Sequence, residues 1–332
     1  MKTAVFSARR YDQALFAKAN AQAGHELVFF QDRLTPETAR QAAGCPAVCV
    51  FVNDQVDAQV LGLLAAQGTR LVATRSTGFN HIDAAAAAAV GIAVVRVTDY
   101  SPHSVAEFAV GLLLALNRRI ARASMRTREG NFELDGLMGF DLHGKTVGVI
   151  GTGKIGSIFA RIMLGFGCTV LGHDMDPKPA FEQMGGRYVG VAELVAASHV
   201  VSLHCPLTDA TRHIVDAKLL ASTRRGAILV NTSRGALVDT DAAIQALKTG
   251  QLGGLAIDVY EQEASLFFQD LSSTIITDDV IQRLVSFPNV IVTGHQAFLT
   301  EEAIGQIVQT TLESITAFER GTALLNRIPA TP

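Results

Sequence analysis

Three kinds of side chain in the second half of this chain, an arginine (Arg234), a histidine (His295) and a group of carboxylates (Asp258, Glu261, Glu263), have the types needed for proton-coupled chemistry on a small anion. They follow short apolar runs that read as buried strands: Lys145–Ile150, Thr169–Gly172, His199–His204, Ala227–Asn231, Gly254–Asp258 and Val290–Thr293. In open α/β sheets ligands bind beyond the carboxyl ends of the strands, so what comes next on the chain is informative. The segments in question are Gly151–Gly156, Asp174, Cys205-Pro206, Thr232-Ser233-Arg234-Gly235, Asp258 to Glu263, and Gly294-His295-Gln296. An arginine offers a planar, permanently charged fork that holds a carboxylate and polarises a neighbouring carbonyl. A histidine can give that carbonyl oxygen a proton. A carboxylate orients the histidine and favours its protonated form. The set suits hydride transfer to an anionic 2-oxo acid, with a nicotinamide carrying the hydride.

The glycine turn supports that reading. Gly151, Gly153 and Gly156 stand in G-x-G-x-x-G spacing directly after a strand. A helical pattern opens at Lys154-Ile155 and runs to Phe166, and a second strand leads into Asp174. Gly151 permits the tight turn, Gly153 lets the backbone approach a pyrophosphate, and Gly156 lets helix and strand pack closely. The diphosphate would sit on free N–H groups at the helix start. Asp174 is placed to accept from an adenosine ribose, and its charge repels a 2′-phosphate, which favours NAD over NADP.

Position alone leaves other roles open. Arg234 also reads as a solvated loop arginine and His295 as a hydrogen-bonded structural histidine, while Asp258, Glu261 and Glu263 share one loop and spacing does not choose among them. His204 reads as a strand-end residue, and Tyr100 and Phe298 read as core aromatics. His199 and His204 would face opposite sides of a strand, and Cys45, Cys49, Cys168 and Cys205 show no metal-ligand spacing. No metal is expected, and the cysteines read as reduced core thiols of a cytosolic protein.

The elements around these residues form two doubly wound α/β domains. The first hundred residues alternate strands (Lys2–Phe6, Glu26–Phe30, Ala47–Val52, Leu71–Thr74, Ala93–Val97) with helices (Tyr11–Ala23, one begun by Thr35-Pro36-Glu37, Val56–Ala66, Ala84–Val90). A helical pattern from Tyr100 to Arg118 then leads into the second domain. Residues 122–143 read as an arm that packs on another subunit, residues 261–288 as a long excursion, and Thr300–Phe318 as a final amphipathic helix returning to the first domain. The expected division is 1–100 plus 299–332, and 101–298. With 28 basic and 31 acidic residues among 332, the chain has no electrostatic footprint for nucleic acid or an anionic membrane. Its N-terminus does not read as a signal peptide, and no apolar window is long enough to span a bilayer.

Several segments together resemble the NAD-dependent D-2-hydroxyacid dehydrogenases, and within that family its fermentative D-lactate dehydrogenases. They are Phe51–Asp54 (FVND), Gly78–Asp83 (GFNHID), Val149–Gly156 (VIGTGKIG), Ser202–Thr208 (SLHCPLT), Asn231–Leu237 (NTSRGAL), Asp258–Glu261 (DVYE), Leu266–Asp270 (LFFQD) and Gly294–Ala303 (GHQAFLTEEA). The resemblance spans essentially the whole chain, and NTSRGAL and GHQAFLT are far more specific than the glycine motif. It implies a Rossmann-type NAD domain and a flavodoxin-like substrate domain, with a cleft between them that closes over the substrate. It implies Arg234 as substrate clamp, His295 as acid/base and Glu263 as its partner. It also implies carboxylate binding by backbone amides at Thr77, Gly78 and Phe79, with Tyr100 nearby, and a nicotinamide site lined by His204, Cys205, Pro206, Thr232 and Asp258. The cofactor would be NAD, and the reaction the reversible reduction of pyruvate to D-lactate in the cytoplasm by a homo-oligomer, a dimer or tetramer. Phe51, Tyr100 and Phe298 would make a tight wall that favours pyruvate over branched 2-oxo acids. The rival readings are another member acting on hydroxypyruvate, glyoxylate or larger 2-oxo acids, and a non-enzymatic NAD-sensing protein. A formate-type enzyme fits poorly, since that type pairs its histidine with a glutamine where this chain has Glu263.

Overall fold

The structure, a computed structural model, describes residues 1–329. Residues 330–332, the end of the expected first domain, lie outside the described residues. The chain divides into two compact units: Met1–Ser101 together with the chain from Leu299 onward, and Pro102–Phe298.

The first unit holds strands β1 (Lys2–Val5), β2 (Glu26–Phe29), β3 (Ala47–Val50), β4 (Leu71–Thr74) and β5 (Ala93–Val95) in the order β2-β1-β3-β4-β5. Every neighbouring pair is parallel. This is the flavodoxin-type order, in which winding reverses between β1 and β3. β3 and β4 are buried along their whole length because both faces of the sheet are covered. One face packs Phe6, Leu34, Val48, Val50 and Leu61; the other packs Ala47, Leu71, Ala73 and Val95 against Ile315 of the final helix, Glu301–Glu319. Thr300 caps that helix through the Ala303 N–H.

The helix expected from Thr35 is instead a turn followed by one 3-10 turn, Ala39–Ala42. The Thr38 hydroxyl donates to the Arg33 carbonyl and accepts from the Thr35 N–H, local bonds that compete with a helix. Gly44 then turns the chain at a φ of 73° ahead of Pro46.

The second unit holds β6 (Thr146–Ile150), β7 (Thr169–His173), β8 (Arg187–Tyr188), β9 (Val200–Leu203), β10 (Ala227–Asn231), β11 (Leu252–Ile257) and β12 (Val290–Val292). Their order is β12-β11-β10-β9-β6-β7-β8, all parallel. From β8 through β6 to β11 this is the dinucleotide-binding order, with its switch point between β6 and β9. β8 is two residues long and carries no periodicity, so the pattern of the sequence does not reveal it. Val147 and Val149 face the helix Pro102–Asn117, while Ile150, Leu203 and Leu229 face the opposite layer, as the strand period requires. Part of the polar stretch after residue 118 is helical, Ile120–Arg128, with no buried residue. Both polar atoms of the Asn117 side chain bond the backbone of Phe140, which ties the stretch back to the domain.

Within β6, Gly148 sets how closely the layer above can approach. A Cβ there would lie 2.2 Å from Leu194 Cδ2 and 2.7 Å from Ser198 Oγ. Gly148→Val should therefore overpack this layer and cost about 1–3 kcal/mol of stability. A urea unfolding midpoint equal to wild type would show that the helix Val191–Ala197 moves aside freely.

Candidate active site

The carboxyl ends of β6 and β9 meet so tightly that only glycine fits. A Cβ on Gly151, whose φ is 93°, would lie 2.4 Å from the Cys205 backbone N, and one on Gly156 would lie 1.9 Å from the Gly151 carbonyl oxygen. Gly153 by contrast opens onto empty space. The helix Lys154–Gly165 starts at Gly153 with no side-chain cap. Elsewhere in the chain Asp57, Asp83, Asp216, Asp239 and Asp278 cap their helices. An uncapped helix behind a glycine cradle is an anion site.

Asp174 follows β7 and is held by its neighbours. Its carboxylate accepts from the Thr152 N–H at 2.6 Å, the Thr152 hydroxyl at 3.1 Å and the Asp176 N–H at 3.0 Å. Burial alone would raise its pKa, but these bonds outweigh burial and the pKa is lowered, so Asp174 is anionic at neutral pH. His204, by contrast, is neutral. Burial pushes its pKa down to about 3, and its ring bonds Ser202 Oγ at 2.9 Å and packs on Phe159. The Cys205 thiol is pushed up to about 11 by burial, which rules out a thiolate. Thr232 Oγ1 is buried without a hydrogen-bond partner among the described residues. An orphaned hydroxyl after β10, a glycine turn and uncapped helix start after β6 and a fixed acid after β7 all follow strands of one parallel sheet and fit a bound dinucleotide.

The three acids of the loop after β11 take three different roles. Asp258 is fully buried; its carboxylate accepts from Thr293 Oγ1 at 2.5 Å, the Gln296 N–H at 2.9 Å and the Ala297 N–H at 2.8 Å. Its carbonyl accepts from the His295 N–H. Burial raises the Asp258 pKa, and these bonds with the nearby His295 oppose the rise. Asp258 thus builds the turn on which His295 sits. Glu261 pairs outward with Arg212 at 2.5 Å and His213 at 3.0 Å. Only Glu263 meets the histidine, with Oε1 2.8 Å from His295 Nδ1. The other oxygen of Glu263 accepts from the Tyr260 N–H at 3.0 Å.

A carboxylate only accepts, so His295 Nδ1 carries a proton and Nε2 is the position left to exchange one. His295 holds a left-handed φ of 54°, and Phe268, at φ 62°, lays its ring 5.8 Å from the imidazole. Non-glycine residues at such angles are strained and persist where their surroundings over-determine them. The Phe298 ring stands edge-on to the same imidazole at 6.4 Å.

Arg234 lies in the turn after β10. Asn231 shapes that turn, donating from Nδ2 to the Arg234 carbonyl and accepting from the Ser233 N–H, while Ser233 Oγ donates to the Cys205 carbonyl. The Arg234 guanidinium donates within the described residues only to the Ser233 carbonyl, at 2.7 Å. The rest of its fork is available to a ligand. In the first unit, the backbone N–H groups of Thr77, Gly78 and Phe79 donate to no acceptor among the described residues. Arg96 fixes this loop by bonding the Thr77 carbonyl and stacking 5.1 Å from the Phe79 ring. Phe51 donates its N–H to Asp54 and lies under the Arg75 guanidinium. Tyr100 stands in the coil after β5.

The segment from residue 110 to 297 matches the family model for the NAD-binding domain of D-isomer-specific 2-hydroxyacid dehydrogenases. A 2-hydroxyacid dehydrogenase homolog of Schizosaccharomyces pombe is 51% identical over 319 residues, 96% of each chain. The chain belongs to the D-isomer-specific 2-hydroxyacid dehydrogenase family. The D-lactate dehydrogenase of Escherichia coli is 48% identical over 328 residues, covering 99% of this chain and all of the other. The solved structure of a pyruvate reductase of Chlamydomonas reinhardtii superposes with a TM-score of 0.94 at 41% identity, over 98% of each chain. As a 2-hydroxyacid dehydrogenase of this family, the protein is an NAD-dependent oxidoreductase.

Spacing did not reveal Arg212 and His213, which have no motif, nor Thr152 and Tyr188 beneath Asp174. Asn231 had a local signal, the short polar turn Asn-x-Ser, that marks a side chain bonding its own backbone.

Gly235 joins the arginine turn to the glutamate loop. A Cβ there would lie 2.1 Å from the Tyr260 carbonyl carbon and 2.3 Å from the Glu261 N, both rigid backbone. Gly235→Ala must displace either Arg234 or Glu263, and turnover should fall about 100-fold. Near-wild-type turnover with a folded protein would show that the two segments need not touch.

Proposed function

We propose that this dehydrogenase reduces pyruvate to D-lactate with NADH, reversibly. The observation that carries the reading is the Glu263–His295 pair at 2.8 Å, which leaves one ring nitrogen of an oriented imidazole to exchange a proton. Protonated His295 gives its Nε2 proton to the carbonyl oxygen during reduction, and Glu263 holds the ring and stabilises its charge. Arg234 grips the substrate carboxylate and polarises the adjacent carbonyl. The open N–H groups of Thr77, Gly78 and Phe79 in the first unit are donors of the kind that binds a carboxylate. Bound NADH supplies the hydride. The diphosphate would be held by Gly151, Gly153, Lys154, Ile155 and Gly156 and the ribose by Asp174, while His204, Cys205, Pro206, Thr232 and Asp258 would line the nicotinamide.

The aromatic side chains assigned to the substrate, Phe51, Tyr100 and Phe298, suit a methyl group and favour pyruvate over larger oxo acids. Support for the D-isomer comes from relatives named D-lactate dehydrogenase. We assign the protein to the cytoplasm, as its four buried, free cysteines suit a reducing compartment. Among the described residues no helix is long and apolar enough to cross a membrane. A second copy of the chain would cover Phe132, Leu134 and Met138, which are 75%, 80% and 92% exposed, giving a dimer or a tetramer.

NADH oxidation should be fastest with pyruvate when compared with hydroxypyruvate, glyoxylate, oxaloacetate and phenylpyruvate, slow with NADPH, and the product should be D-lactate. Faster turnover of another acid overturns the substrate, and no turnover on any of them overturns the enzyme reading. Glu263→Gln removes the negative charge that faces His295 Nδ1, and kcat for reduction should fall about 10-fold or more, while a wild-type kcat would dissociate Glu263 from the role of His295.

A further inference from the structure

Asp174 opens an exposed loop, and what holds that loop is a hydroxyl from the edge strand. Tyr188 of β8 places its OH 2.9 Å from the Lys178 N–H and 2.7 Å from Thr152 Oγ1. Thr152 is 1% exposed, and its hydroxyl lies 3.1 Å from Asp174. The two ends of this row fix every proton in it. A backbone N–H can only donate and a carboxylate can only accept. The Lys178 N–H therefore donates to Tyr188, Tyr188 donates to Thr152, and Thr152 donates to Asp174. Hydrogen bonds in such a row polarise one another in the same sense.

The Tyr188 ring is fixed as well as its hydroxyl. It packs on Phe181 with centroids 4.8 Å apart, and β8 pairs with β7 so that Tyr188 lies beside Gly172. A Cβ on Gly172 would sit 2.6 Å from the Phe181 ring and 3.1 Å from Thr152 Cγ2, so glycine at this point lets Thr152 and the aromatic pair close on each other. The row thus ties both ends of the loop Asp174–Lys178 to rigid strands, although Met175 within it is 90% exposed. A carboxylate has about four acceptor positions. Three are taken by the Thr152 N–H, the Thr152 hydroxyl and the Asp176 N–H, and the Met175 backbone also faces the carboxylate, so a ligand meets an acid whose orientation is already set.

We infer that Tyr188, through Thr152, is a positioning residue for cofactor choice: it holds the Asp174 carboxylate in the orientation that meets the ribose diol of NAD and so sharpens discrimination against a 2′-phosphate. The inference rests on the reading of Asp174 as the ribose acceptor. Tyr188 touches neither substrate nor cofactor; it acts through the acid. Its removal changes cofactor affinity and preference and leaves the Glu263–His295 pair where it is.

The test is equilibrium binding of NADH and of NADPH, followed by calorimetry, to wild type, Tyr188→Phe, Thr152→Val, the double variant and Asp174→Ala. Tyr188→Phe should raise the Kd for NADH about three- to ten-fold, the scale of one lost hydrogen bond. The Kd for NADPH should stay level or fall. In steady state the KM for NADH should rise with it, and kcat at saturating NADH should change far less. Thr152→Val should reproduce the effect, and the double variant should be no worse than either single one, since both act on one row. Tyr188→Phe with wild-type NADH affinity, or with equal losses for NADH and NADPH, overturns the inference. Asp174→Ala separates this from the underlying reading. A strong loss of NADH affinity there beside a silent Tyr188→Phe overturns only the role of Tyr188, whereas unchanged binding of both cofactors in Asp174→Ala overturns the ribose role of Asp174 itself.

Discussion

The second unit depends on one buried carboxylate. Asp258 directly follows β11 and is fully inaccessible, a position where an unpaired charge would be very costly. It is tolerated because the Thr293 hydroxyl and the Gln296 and Ala297 N–H groups converge on it, each worth about 1.5–3 kcal/mol as a bond to a charged group. Those donors all belong to the turn after β12. The same interaction that satisfies Asp258 therefore folds residues 293–297 and leaves His295 at a left-handed φ beside Glu263. Without that acid the turn would lose its centre and the histidine its place.

Backbone proximity supplies the remaining constraints. Gly151 against Cys205, Gly156 against Gly151, and Gly235 against Tyr260 are contacts that no side chain would allow. They bring strand ends and loops close enough for main-chain groups to act as binding groups. The helix behind the glycine turn starts without a side-chain cap, while five other helices of the chain are capped by aspartate. The electrostatics follow the same plan. Asp174 is kept ionised by hydrogen bonds, and His204 and Cys205 are kept neutral by burial. Charge is thus confined to the groups that need it.

Much of this was legible in the sequence because local patterns carry it. Alternating apolar runs and helical periods marked the parallel sheets, and glycine spacing with a terminal acid marked the dinucleotide turn. Departures arose where local hydrogen bonding or brevity defeated the pattern. Thr38 turned an expected helix into a 3-10 turn, and β8 was too short to show a period.

Residue type and strand-end position alone determined the candidates: Arg234, His295, three acids in one loop, and Asp174. Their division of labour was decided in space. Asp258, Glu261 and Glu263 lie within six residues and are chemically alike, so neither spacing nor composition ranks them. The tertiary structure sends one inward to build a turn, one outward to Arg212 and His213, and one to the imidazole, since only packed backbone fixes which oxygen meets which donor. The same holds for Tyr188, which reaches Asp174 only because two parallel strands set them side by side.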